Sequence, residues 1–314
     1  MIELGIKSDP IETRYSFVWL FSLMNDLDVR AVQIGSFFEL YVLDMRYFEK
    51  IKDLAVKNNI HIKSMFTAHR ELGGFFYDDV YMEKAARSMY ERLIDVASFL
   101  GTDYCGSNPG AIYRDQMQHK SKGIDCYIKH MKELSFYACE KGLKGLTIEP
   151  MSCMAEPPTS IDEISQMMNE LNDFHKQNPD DTVPFYLCGD ISHGWAGPDR
   201  QIIQSNLELF EAALPWMCEF HYKNTDKFYE STFGFSREEQ EYGIVDLSWV
   251  RQTVEERKDS LPVAPITGYL EIGGPKTGRD YSDRWLEKAL SESVASIKKS
   301  LNSYDVEPIS INDK

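Results

Sequence analysis

Four short runs of this 314-residue chain carry side chains that bind divalent metals. Glu149 closes Thr147-Ile148-Glu149-Pro150-Met151, and Asp190 lies in Cys188-Gly189-Asp190-Ile191-Ser192-His193. His221 lies in Glu219-Phe220-His221-Tyr222-Lys223-Asn224, and Glu271 in Tyr269-Leu270-Glu271-Ile272-Gly273-Gly274. A single strand-end Glu is more often a salt-bridge partner, and a single His more often a satisfied core residue. Four at the ends of successive strands form a different pattern: three carboxylates and one imidazole at one rim. That donor set suits Mn²⁺, with Mg²⁺ or Co²⁺ as alternatives, and its lack of thiolate argues against a structural zinc site. Three buried carboxylates repel one another and would take up protons unless a cation held them ionised.

The pattern requires elements that deliver the four residues in register. Short β-type runs alternate with amphipathic helical stretches. Strands are expected over 2–6, 31–34, 60–65, 103–106, 145–148, 185–188, 217–220 and 266–270. The fourth is placed by rhythm more than by propensity. Between them the helix signals are readable. Asp44 can cap a helix whose apolar face is Phe48, Ile51, Leu54 and Ala55. Met82, Ala85, Ala86, Met89, Leu93, Val96, Ala97 and Leu100 keep the helical period, and Gly101 supplies the stop. Ile124, Tyr127, Ile128, Met131 and Leu134 follow the same period before Gly142. Ser160 with Glu163 forms a capping box ahead of Ile164, Met167, Met168 and Leu171. Asp283 opens a last helix with Trp285, Leu286, Ala289, Leu290, Val294 and Ile297 on one face.

Strand–helix units repeated in this way, without a linker or a break in composition, read as a single (β/α)8 TIM barrel over 1–302 with a polar tail over 303–314. A doubly wound open sheet is the alternative. It would normally carry a glycine-rich first turn, whereas the first turn here is Lys7-Ser8-Asp9-Pro10. G-x-G-x-x-G, Walker and G-x-S-x-G motifs are all missing. In a barrel, functional residues sit at the carboxyl ends of the strands, which is where the four candidate ligands fall.

Composition narrows the function classes. Lys and Arg number 34 against 50 Asp and Glu, a net charge of −16, and 43 % of residues are hydrophobic. This is the balance of a globular protein with a large core, and it argues against nucleic acid as a partner. The opening residues lack a basic run followed by an apolar one, so no signal peptide is expected. The longest strongly apolar stretch, Phe17 to Met24, is far short of the ~20 residues of a membrane span. The six cysteines, at 105, 126, 139, 153, 188 and 218, form no Cys-x-x-Cys pair and are expected as free thiols in a reducing, cytoplasmic setting.

The run of Glu149, Asp190-x-x-His193, His221 and Glu271 resembles the xylose isomerase-like TIM barrels of the sugar phosphate isomerase/epimerase superfamily, with D-tagatose 3-epimerase-like proteins as the nearest pattern. The likeness extends over nearly the whole chain, and His221-Tyr222-Lys223-Asn224-Thr225-Asp226 resembles the segment these proteins carry after their seventh strand. The resemblance implies one divalent ion on Glu149, Asp190, His221 and Glu271. It makes Glu149 and Glu271 the acid/base pair facing each other across the C2–C3 bond of a ketose. One glutamate removes a proton beside the polarised carbonyl to give an enediolate, and the other returns one. It assigns His193, Glu156 and Lys223 to substrate contacts. Lys227 stands where those epimerases carry arginine. Isomerisation or epimerisation of a small-molecule keto sugar is the leading expectation, with a homo-oligomer or a small partner subunit implied by analogy. The rival within the same superfamily is a lyase acting on a 3-keto sugar, by elimination as in C-glycoside deglycosidase α subunits or by decarboxylation. A class II apurinic endonuclease would need more His ligands, and a non-catalytic sugar-binding barrel would not need both glutamates.

Other rim residues have two readings each. His69, after the third strand, can bind a sugar hydroxyl, act as an extra base or be structural. Trp195 can stack on a sugar face or pack in the core. Lys7 can reach the centre from the first strand, and Phe37, Phe38 and Glu39 can wall the pocket. Gly273-Gly274-Pro275-Lys276-Thr277-Gly278-Arg279-Asp280 can cradle a phosphate or simply turn, and the turn is slightly favoured. The long connection from Thr225 to Gly243, with Phe228, Tyr229, Phe233, Phe235 and Tyr242, reads as a lid or partner contact.

Overall fold

The computed structural model describes residues 2–12, 14–35, 38–67, 73–273 and 283–302. Strands and helices alternate as β1 (Ile2–Lys7), α1 (Phe17–Asp26), β2 (Ala31–Ile34), α2 (Met45–Lys57), β3 (His61–Thr67), α3 (Val80–Leu100), β4 (Tyr104–Ser107) and α4 (Lys120–Glu140). They continue as β5 (Gly145–Ile148), α5 (Ile161–Gln177), β6 (Phe185–Asp190), α6 (Asn206–Ala213), β7 (Met217–Tyr222), α7 (Leu247–Glu256), β8 (Ile266–Leu270) and α8 (Asp283–Asn302). Each strand pairs with the next in parallel, and β1 pairs with β8, so the eight close into a (β/α)8 barrel. Every residue of β2, β5, β7 and β8 is buried, as expected of strands covered by helices outside and packed side chains inside. Close approach inside the barrel requires a glycine at position 5, where a Cβ would lie 2.5 Å from the Tyr269 ring.

The expected strands are all present, three with the expected bounds and the rest with ends shifted by one or two residues. The weak fourth strand runs Tyr104–Ser107, one residue later than expected. Asp44 caps α2 by accepting from the Arg46 N–H, and Gly101 ends α3 in the left-handed region at φ +82°. On α3, Ala86, Leu93, Val96, Ala97 and Leu100 are buried as expected, whereas Ala85 is exposed. The capping box at Ser160 is only half formed. Ser160 accepts from the Glu163 N–H, but the Glu163 carboxylate accepts from the Thr159 N–H at 2.9 Å instead of returning to Ser160. Its other oxygen is drawn to Lys120. A reciprocal box occurs at Ser205 and Glu208, which open α6.

Trp285 departs from expectation. It is 47 % exposed, while Leu286, Leu290 and Ile297 on the same helix are fully buried. Its indole lies at the edge of the apolar stripe, where the Lys288 ammonium sits 5.4 Å from the ring centre. The long connection after β7 is anchored along its length. Asn224–Thr225 and Thr232–Phe233 pair as a short hairpin, Phe235 is fully buried, and its N–H donates to Ser293 Oγ of α8 at 2.8 Å. The tail at 303–314, Phe37 and the whole glycine-rich segment after Gly273 lie outside the described residues. Among the described residues no helix is long and apolar enough to cross a membrane, and all six cysteines are free.

These packing differences set up a stability test. Leu286→Ala should lower the unfolding free energy by about 2–5 kcal/mol, and Trp285→Ala by no more than about 0.5 kcal/mol. Urea denaturation of both variants checks this, and equal losses would contradict the orientation of α8.

Candidate metal centre

Strand register brings the four candidate ligands together. Asp190 pairs directly with His221 across β6 and β7, and His221 pairs with Tyr269 on β8. Side chains alternate along a strand, so Glu271, two residues past Tyr269, shares its face. Glu149 follows β5 immediately, and its N–H still reaches the Ser107 carbonyl. One ligand atom from each of Glu149, Asp190, His221 and Glu271 falls within 4.8 Å of the others, a group that can hold a metal ion. Ligands held at about 2.1 Å from one ion stand at most about 4.2 Å apart, so only a small contraction is required.

The contacts are polar and close. His221 is fully buried, and its Nδ1 lies 3.0 Å from Glu149 Oε1, 3.1 Å from Glu271 Oε2 and 4.0 Å from Asp190 Oδ2. Its Nε2 faces away, 2.8 Å from Gln33 Oε1 and 3.3 Å from Cys188 Sγ. Asp190 Oδ1 accepts from the Ser192 N–H and hydroxyl at 2.8 and 2.7 Å, which turns Oδ2 toward the cluster. Lys223 Nζ lies 3.0 Å from Asp190 Oδ2 and 2.7 Å from Glu271 Oε2. Lys7 Nζ bridges Glu271 Oε1 and Asp9 Oδ2, each at 3.3 Å.

The electrostatics follow from that crowding. Burial would raise the Glu271 carboxyl, but Lys223, Lys7 and His221 together outweigh it and hold the group well below the ordinary glutamate value. Burial likewise opposes ionisation of Asp190, and His193 and Lys223 reverse it. Burial works against a charged His221, yet Glu271 and Glu149 pull the imidazole above its usual range. The Lys223 ammonium is held well above the ordinary lysine value, because Asp190, Glu271 and Glu149 overcome its desolvation.

A divalent cation fits this arrangement. Among the described residues, Asp190 Oδ2 and Glu271 Oε2 are buried oxygens that accept no well-formed hydrogen bond, and both are turned toward the same point, where the Lys223 ammonium lies. The donors are hard oxygens plus one imidazole, as Mn²⁺, Mg²⁺ or Co²⁺ prefer. A second group, Glu83, Cys126 and His130, also places its ligand atoms within 4.8 Å of one another. There the Arg87 guanidinium stands 3.5 Å from His130 Nδ1, on the side where a metal-bound histidine would have to donate.

The remaining expected site residues divide. His193 adjoins the cluster, its Nε2 lying 3.4 Å from Asp190 Oδ2 and its Nδ1 donating to the Pro150 carbonyl at 2.7 Å. Lys223 lies inside the cluster, and Lys7 reaches it from β1. Glu156 is buried and pairs with Arg114 at 3.7 Å. Trp195 is half-buried against the core, its indole N–H without an acceptor among the described residues. Lys227 is exposed and lies 4.8 Å from the Phe228 ring centre, so no contact with the four ligands is seen. His69 lies outside the described residues. Sequence reasoning passed over Asp9 and Gln33. A polar residue inside the apolar run Ala31-Val32-Gln33-Ile34 was the signal for the latter.

No protein-family profile matches the sequence, and neither does any curated protein. Solved structures do match in fold. A protein assigned as a xylose isomerase from Rhodospirillum rubrum is 17 % identical over 95 % of this chain and 99 % of its own, with a TM-score of 0.79. D-psicose 3-epimerase from Clostridium cellulolyticum is 12 % identical over 96 % of this chain and 99 % of its own, with a TM-score of 0.72. The 3-keto-D-glucoside 4-epimerase of E. coli is 10 % identical over 95 % of this chain and all of its own, with a TM-score of 0.65. The chain therefore has the xylose isomerase-like barrel fold.

Metal ligation requires His221 to give up the Nδ1 proton that its raised value retains, while the depressed carboxylates are already ionised. Mn²⁺ affinity measured by calorimetric titration should therefore rise as pH increases through the imidazole's range, by at most about tenfold per unit. Asp190→Asn should abolish the uptake. Affinity that falls with rising pH, or survives that substitution, would contradict the assignment.

Proposed function

We propose that the chain is a divalent-metal-dependent isomerase or epimerase that moves a proton beside the carbonyl of a ketose or keto sugar. The observation that carries this reading is that two glutamate carboxylates, Glu149 and Glu271, converge from different strands on the same histidine nitrogen, at 3.0 and 3.1 Å. A purely structural ion site gains nothing from two such groups that can also exchange protons. The sugar epimerases sharing this fold support the same chemistry.

When bound, a divalent ion polarises a carbonyl and makes the neighbouring C–H more acidic. The protein's own residues then handle the proton. Glu271 is held in place by Lys7 on one oxygen and Lys223 on the other, and it stays ionised at neutral pH, ready to accept. Glu149, 3.0 Å from the same His221 nitrogen, is the partner that returns a proton. Lys223 and His193 border the same space and are placed to hold substrate oxygens, with the Lys223 ammonium donating. Glu156 and Trp195 are more distant candidates for the pocket wall. Mn²⁺ is the first choice of ion for the three-oxygen, one-nitrogen donor set, with Mg²⁺ or Co²⁺ next.

A panel of ketoses incubated with Mn²⁺-loaded protein in deuterated water should gain deuterium beside the carbonyl. Glu271→Gln should slow this by ~10²-fold or more. Mass spectrometry of the recovered sugar reads both. Release of an aglycone or CO₂ from a 3-keto sugar, with no exchange into any ketose, would overturn the isomerase reading in favour of a lyase.

A further inference from the structure

Histidine ligates a metal through one nitrogen, and the group on the other nitrogen decides which one is free. For His221 that other group is Gln33, which crosses the barrel interior from β2. Gln33 is fully buried, and its Oε1 lies 2.8 Å from His221 Nε2. A carbonyl oxygen can only accept, so Nε2 must carry a proton, and Nδ1 is the nitrogen turned to Glu149, Asp190 and Glu271, where a metal would displace any proton it holds.

The orientation of the Gln33 amide is itself fixed from beneath. Its NH₂ end faces Ser64 Oγ at 3.5 Å and Cys188 Sγ at 3.8 Å, and it also reaches the Glu219 carboxyl. Ser64 in turn donates to Glu219 Oε1 at 2.9 Å. Turning the amide over would set its carbonyl oxygen toward that carboxyl and its NH₂ toward the imidazole. Cys188 Sγ, 3.3 Å from Nε2, stands on the same side and can share the same proton. The Glu83, Cys126 and His130 group lacks such an arrangement, because His130 faces a guanidinium donor instead.

We infer that Gln33 is a positioning residue that locks His221 in the Nε2–H tautomer and so presents Nδ1 to the metal. The inference rests on the reading of Glu149, Asp190, His221 and Glu271 as a metal centre. Outer partners of this kind typically change metal affinity 10–100-fold. Leucine at position 33 keeps much of the volume and removes the acceptor, whereas glutamate restores an acceptor of the same reach.

The test uses the full chain and two probes. Mn²⁺ affinity is measured by titration on wild type, Gln33→Leu and Gln33→Glu. In parallel, ¹⁵N-labelled histidine spectra are recorded on wild type loaded with Zn²⁺, with His221 identified by its loss in His221→Asn. The expected results are ~10–100-fold weaker Mn²⁺ binding in Gln33→Leu, affinity near or above wild type in Gln33→Glu, and a His221 spectrum with Nε2 protonated and Nδ1 bound. Undiminished affinity in Gln33→Leu, or a spectrum with Nδ1 protonated, overturns the role of Gln33 while leaving the metal centre in place. Wild-type protein that takes up no Mn²⁺ removes the metal centre and this inference together. Should Gln33→Leu fail to fold, the wild-type spectrum decides alone.

Discussion

The protein gathers three carboxylates into one buried corner of a barrel mouth, and their mutual repulsion is the constraint that organises everything around them. Two unit charges 4 Å apart interact by about 4 kcal/mol at the effective dielectric of a protein surface, and by more where water is excluded. Glu149 and Asp190 are each 5 % exposed, so solvent does little to relieve them. Lys223 enters between Asp190 and Glu271, Lys7 reaches Glu271 from the adjacent strand β1, and the His221 imidazole is drawn toward its charged form. Lys7 is shared with Asp9, so its charge is only partly available to the cluster. A divalent ion taking the place of the Lys223 ammonium would concentrate positive charge at the point the carboxylates face.

Much of this was legible in the sequence because the barrel ties residue type to position. A strand in a (β/α)8 barrel must be apolar and short, and its carboxyl end opens on the functional face, so Glu149, Asp190, His221 and Glu271 could be placed from the runs that precede them. Even the weak strand at Tyr104–Ser107 follows from the spacing of its neighbours. What escaped were contacts that depend on how far apart strands come together. Gln33 and His221 are 188 positions apart in the chain, and only closure of the barrel makes them partners. Asp9 was read as part of a first turn, but burial places it beside Lys7. Trp285 kept the helical period yet stands exposed, because the stripe buried by α8 is narrower than the run of large residues suggested. Glu163 had two suitors, and the nearby Thr159 N–H and the Lys120 ammonium won it from Ser160.

The barrel mouth has two polar layers. The rim holds the groups to which the proposed chemistry gives ion binding and proton transfer: Glu149, Asp190, Glu271, Lys223 and His193. Beneath it lies a buried polar floor of Gln33, Ser64, Thr147 and Glu219, in which burial pushes the Glu219 carboxyl upward. Through Gln33 this floor would orient His221 from beneath the rim.

The central claim is that these four side chains close on one cation. Anomalous diffraction from crystals grown with Mn²⁺ tests it most directly. The account predicts a single strong peak within about 2.0–2.3 Å of Glu149, Asp190, His221 Nδ1 and Glu271, with Lys223 displaced from between the carboxylates. A crystal saturated with Mn²⁺ that shows no peak there, with the Lys223 ammonium still paired to Asp190 and Glu271, would contradict it.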